Sequence, residues 1–267
     1  TPLGPPWRVP RRRRALVEVI VGLEVVAKPT LLRPMDMDGS WAFAPGHDVS
    51  NHWAQRNLLA LCTALPPHLR VTGRRCWIED FRRYALGHGE RFPVAPPDRF
   101  GSLLADFARV GVTGGTSSGR FLWLRGGAAA ASMVSFDIDV EKTAPADVAL
   151  GHMAAWDAFV DAWNGEARPS AKGAWHTSQL WVLASAQQSL LSSTSATLIT
   201  VLVLAFAGMI GFTQSIVLAA FVVMSTVGVI AGLIFFMVCI MEWTVGPIEV
   251  IALIIFIGYA VTYSLHI

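Results

Sequence analysis

The spacing of hydrophobic and polar positions divides the chain into segments of different character. Ala15 to Ala27 (ALVEVIVGLEVVA) is dense in Val and Ile and predicts a strand. Asn51 to Leu65 has the spacing of an amphipathic helix that stops at Pro66-Pro67, and Cys76 to Leu86 predicts a second helix. In Ser132 to Val140 (SMVSFDIDV), Val134, Phe136, Ile138 and Val140 alternate with Ser135, Asp137 and Asp139. That is a strand with one wet face, on which the two aspartates read as solvated acids. Pro145 opens a helical pattern through Val148, His152, Trp156, Phe159 and Trp163, closed by Asn164-Gly165. Another extended run, His176 to Ser185, follows. These are strand–helix–strand units of α+β type, and they suggest two weakly similar βαβ-like halves.

The pattern then loses its periodicity. TLITVLVLAFAGMIGF runs from Thr197 to Phe212, SIVLAAFVVMSTVGVIAGLIFFMVCIM from Ser215 to Met241, and GPIEVIALIIFIGYAVTYSLHI from Gly246 to Ile267. A bilayer core takes about 20 apolar residues per helix, and a soluble helix would keep a polar face. Three transmembrane helices are expected, at about 190–212, 215–241 and 246–267, joined by very short links. Gly228 and Gly232 form a GxxxG in the second, a spacing that lets helix backbones approach closely. Trp243 suits the aromatic belt at the membrane interface. Glu249, in the first turn after Pro247, reads as an interfacial cap favoured by the helix dipole.

Composition sharpens that division. Mean hydropathy is +0.48, and from Gly173 onward there is no lysine or arginine. Residues 15–186 are therefore expected to form a water-facing domain and 187–267 the membrane part, after a disordered leader at 1–14. The net charge of +2 points to no nucleic-acid partner. The chain opens on Thr1 without a signal-peptide pattern and reads as a segment of a longer protein. Three cysteines are too few for a disulfide scaffold. Cys62 and Cys76 pair if the domain faces an oxidising compartment and are otherwise two free thiols; Cys239 reads as a small core residue.

Candidate chemistry in the water-facing part is sparse. GGTSSG, at Gly114 to Gly119, lacks the lysine and the strand-to-helix setting of a phosphate loop and reads as a turn. The histidines show no metal-ligand spacing. Neither a nucleophile elbow nor an HExxH motif occurs. No enzyme activity, cofactor or metal is expected.

Several motifs together resemble a known family. The strand AWHTSQLWV runs into QQSLLSS and an apolar span, two further spans follow, and the chain closes on GYAVTYSLHI. With CWIEDFRRY at Cys76 to Tyr84 and RFPV at Arg91 to Val94, this resembles the second half of the Dispatched family, Patched-related members of the resistance-nodulation-division superfamily. The closing phrase is most similar to the third Dispatched paralogue. The resemblance implies an extracellular or lumenal domain of porter-like, ferredoxin-like βαβ subdomains, followed by three spans of a larger bundle. It also implies sterol or lipid handling, with membrane lipids and the first half of the same protein as partners. The family's third span here carries Gly-x-x-x-Asp, whose acid couples transport to ions. In this chain Gly258 is in place, but Thr262 stands where the acid would be. His266 continues the same face at i, i+4, i+8. Thr262 and His266 are therefore the ion-relay candidates. Threonine does not titrate near neutral pH, which makes ion coupling by this half doubtful.

Overall fold

The computed structural model describes residues 13–26 and 41–241, together with Ala252, Ile255, Phe256 and Tyr259. Contacts divide the chain into one unit ending at Val182 and a second beginning at Leu183.

The first unit is built on an antiparallel sheet. Its strands are β1 (Arg14–Val21), β4 (Val71–Arg75), β7 (Leu122–Arg125), β8 (Ala128–Glu141) and β9 (Trp175–Thr177). The order is β4-β8-β1-β9, and β7 also pairs with β8. β8 is long because it serves three partners. β1 runs along residues from Ser132 to Glu141, β4 pairs with Ser135 to Ile138, and β7 pairs with Ala128 to Ser132. Two small ladders stand apart: β2 (Leu23–Val25) with β3 (Trp41–Phe43), and β5 (Val112–Thr113) with β6 (Thr116–Ser117).

The register explains the core. Val17 lies opposite Phe136, Ala15 opposite Ile138, and Val19 opposite Val134. All six are buried, and they share one face because side chains alternate along a strand. The helix α4 (Ala146–Glu166) brings Trp156 to that face, with its ring centroid 5.3 Å from that of Phe136. A second cluster joins α2 (Trp77–Gly87) to α3 (Pro97–Val110). Phe81 meets Phe100 and Phe107 edge-on at 5.2 and 5.6 Å. α1 (His52–Thr63), N-capped by Asn51, adds Leu58 and Leu61.

Two strand–helix–strand routes share this one sheet, and the strand that closes the first, β4, was not among the expected elements. The route β1–α1–β4 and the route β8–α4–β9 each join two strands that are parallel to one another. Each pair is split by a strand of the other unit, so one sheet holds both. Two further expectations change. The extended run expected at His176 to Ser185 is a strand only from Trp175 to Thr177; α5 (Gln179–Thr213) begins two residues later. Ser178 ends the strand: its hydroxyl donates to the Leu16 carbonyl at 2.6 Å, and its carbonyl accepts from Trp181 N–H at 3.0 Å. Nor are Asp137 and Asp139 free acids. Arg75 grips both Asp137 oxygens at 2.9 and 2.8 Å, and Asp139 lies 3.8 Å from Arg14 and 3.6 Å from Arg70. Arg14, assigned to the leader from the sequence, is thus the first residue of β1. The GGTSSG segment is the expected turn. Gly114 and Gly115 take φ of +57° and +85° between β5 and β6, a geometry open to glycine in a two-residue hairpin.

In the second unit, α5 and α6 (Ile216–Phe235) are long and apolar enough to cross a membrane. Gln214 separates them with φ +52°, and Ser215 caps α6. A π-helical turn, Phe236–Ile240, extends α6. Val203, Leu204, Phe221 and Met224 are each at least 60% exposed. Helices with large apolar side chains this bare require an apolar surround. Cys239, expected in a packed core, is a free and exposed thiol. Ala252, Ile255, Phe256 and Tyr259 are helical; the remainder of the expected third span lies outside the described residues.

Candidate functional site

The relay candidates Thr262 and His266, with Gly258, Glu249 and Trp243, lie outside the described residues. The GxxxG glycines do not. Gly228 and Gly232 are in α6, and a Cβ added to either would meet no atom within 4 Å. That face is open among the described residues.

Cys62 and Cys76 form a disulfide with their Cα atoms 6.2 Å apart. Cys62 lies in the last turn of α1 and Cys76 directly precedes α2, so the bond ties the two helices together around β4. Both cysteines are buried. The adjoining Arg74 reaches the Cys62 carbonyl at 3.4 Å and Glu79 at 3.2 Å.

The approach to α5 holds a polar relay that the sequence did not suggest. His176, at the centre of β9, has a side chain only 5% exposed. The indole N–H of Trp181 donates to its Nδ1 at 3.2 Å, while Nε2 lies 2.9 Å from an oxygen of Asp157 on α4. Because Nδ1 must accept from the indole, the proton of the neutral ring sits on Nε2 and is donated to the carboxylate. An imidazole held at both nitrogens is a positioning group; acting as a base at Nδ1 would break the Trp181 bond. The same segment is anchored by Trp175, whose indole N–H donates to the Leu23 carbonyl at 2.8 Å. Asn164 adds three hydrogen bonds to Gly173 and Ala174. Histidine, tryptophan and aspartate are too widely spaced in sequence for this cluster to be read from the chain alone.

The RFPV segment is fixed in a similar way. Gln55 is completely buried on α1; its amide donates to the Val94 carbonyl at 3.0 Å and accepts from Val94 N–H at 2.9 Å. The backbone of Val94 thereby gains the pairing of a strand without a strand beside it. Peptide bonds Phe92–Pro93 and Ala95–Pro96, on either side, are cis.

His47 is less well served. Neither of its ring nitrogens makes a hydrogen bond, although both are buried. Burial lowers its pKa, against a smaller upward pull from the Asp48 charge. His152 is also lowered, by burial first and by the Arg70 charge second.

No protein-family model and no curated protein matches the chain. The fold does have a counterpart among solved structures. The cryo-EM structure of the hedgehog release protein Disp from the water bear Hypsibius dujardini superposes with a TM-score of 0.62 at 17% identity, over 96% of this chain and 31% of that one. The chain thus spans about a third of that protein's length, and its mixed α+β fold with two long apolar helices is similar to that part of Disp.

Proposed function

We propose that this chain is the second-half segment of a multi-pass, Dispatched-type membrane protein that handles sterol or lipid-linked cargo. The observation that carries the reading is the order of parts. An α+β domain with interleaved, ferredoxin-like βαβ units leads into α5 and α6, and the whole matches Disp over nearly the full chain. In this reading the domain is a porter-like element outside the cytosol, in the extracellular space or a vesicle lumen. The Cys62–Cys76 bond supports that side, because disulfides persist where the surroundings oxidise. The closing GYAVTYSLHI motif favours the third paralogue. Membrane lipids, sterol and the rest of the same protein are the partners; no catalysis is assigned to it.

The test uses the full-length protein in cells. A photoreactive sterol should crosslink to it, unlabelled sterol should compete, and release of a lipid-linked cargo should fall when the protein is depleted. Absence of both crosslinking and release would overturn the reading.

Thr262 motivates a second reading, a transport-inactive lipid sensor or scaffold of the same fold that affects cholesterol homeostasis or signalling. Thr262→Val with His266→Gln separates the two. Loss of ion-dependent cargo release assigns a relay to this face. Unchanged release makes the face structural, and absence of release even in the parent protein favours the scaffold.

A further inference from the structure

The outward face of α1 joins two basic clusters. At its N-terminal end Trp53 is 43% exposed, with the guanidinium of Arg56 5.5 Å and that of Arg168 5.3 Å from its ring centre. At its C-terminal end lies an open cavity of about 310 Å³, where Leu59 and Thr63 of α1 face Arg74, Arg82, Arg83 and Leu86. Trp53, Arg56, Leu59 and Thr63 fall within roughly 120° around the helix, and Trp53 and Thr63 are about 15 Å apart along it. The clusters are therefore the ends of one track.

The track carries a net positive charge. α1 contains no acid. In the cavity Glu79 offsets Arg74 at 3.2 Å, and Asp80 offsets Arg83 at the same distance. Arg82 has no carboxylate partner among the described residues and lies 5.9 Å from the Phe92 ring centre. Arg56 and Arg168 likewise have none. Their nearest acids in sequence are Asp48, which accepts from Ser50, and Glu166, which forms no ion pair among the described residues. Guanidinium groups held on aromatic rings are preoriented and weakly hydrated, which suits them to oxyanions.

We propose that this face binds an extended polyanion, a sulfated polysaccharide, along α1 from Arg168 to Arg83. The length of the track favours a chain over a single headgroup. The disulfide places α1 on the oxidising side, where acidic glycans are the abundant polyanions; this step does not depend on the transport reading.

The full chain in detergent is tested on immobilised heparin. Arg56→Gln with Arg168→Gln, and separately Arg82→Gln with Arg83→Gln, should each lower the salt needed for elution. Each pair should also flatten the slope of log affinity against log salt by up to about two, since binding releases about one counterion for each contact made. Arg→Lys at the same positions should restore most of the slope. Arg109→Gln with Arg125→Gln removes equal charge elsewhere and should change neither quantity. Equal loss from that control pair, or no loss from the track pairs, overturns the proposal. So does binding to phosphatidylserine vesicles through the same arginines without any binding to heparin, which would assign the face to a membrane.

Discussion

At the scale of single residues, buried polar groups decide where this domain is vulnerable. Gln55 supplies both partners for the Val94 backbone inside the protein. Gln55→Ala should lower stability by roughly 1–3 kcal/mol for each polar group left unpaired, read as a shift in the denaturant midpoint at constant slope. An unchanged midpoint would mean that water replaces the amide. His47 gives a pH dependence with a definite sign. Its folded pKa lies below the ordinary histidine value because the charged ring is poorly solvated. Its contribution is therefore complete above the unfolded pKa of about 6.5 and is lost as pH falls below that towards the folded value. Melting temperature should drop on acidification through this window, and His47→Phe should flatten the drop. His152 acts in the same direction, so the flattening should be partial; an unaltered pH profile would remove His47 from the explanation.

At the scale of elements, the disulfide is the main covalent restraint. It closes a loop with a sequence separation of 14 residues, and loops of about that length gain roughly 3 kcal/mol by losing unfolded-state entropy. Reduction, or Cys62→Ser with Cys76→Ser, should cost about 2–4 kcal/mol in equilibrium unfolding. A loss well under 1 kcal/mol would show that α1 and α2 hold each other without it. Elements were readable from the sequence where periodicity was strong. β8 follows its alternation on the core face; α4 forms where its three- and four-residue steps predict a helix, but its buried residues are Ala149, Trp156, Val160 and Trp163, and Val148 is exposed. α3 carried the same kind of signal, with Phe100, Leu103, Leu104 and Phe107 buried and Pro97 at the first helical position. It was hidden because the prolines around it resemble a loop. β9 was overextended because Trp, His and Val favour strands locally, whereas Ser178 and the Ala- and Gln-rich residues after it favour a helix. The second face of β8 was legible as polar but is not wet, because Ser135 is buried and the Asp137 and Asp139 side chains are only 15% and 14% exposed. Its ion pairs were not legible, since Arg75 and Arg70 arrive from far away in sequence. The His176 relay was illegible for the same reason.

At the scale of the whole molecule, the account rests on two environments meeting in one chain. The first unit has a buried aromatic core, Trp77, Phe81, Phe100, Phe107, Phe136 and Trp156, and carries its charged side chains outside that core. The second presents large apolar side chains outward over helices of membrane-spanning length. In the proposed reading, hydrocarbon and the rest of the bundle cover those surfaces while the backbone stays bonded inside the helices. The link at Gln214 should then lie across the membrane from the disulfide-bonded domain. The direct measurement is labelling by a membrane-impermeant maleimide in sealed vesicles of known orientation. It uses full-length protein with Cys239→Ser and single cysteines placed at Val203, Gln214 or Phe221. Gln214→Cys should react only from the side opposite the domain, while Val203→Cys and Phe221→Cys stay unlabelled in intact membranes. Labelling of those two as fast as Gln214→Cys, with the bilayer intact, would contradict the account.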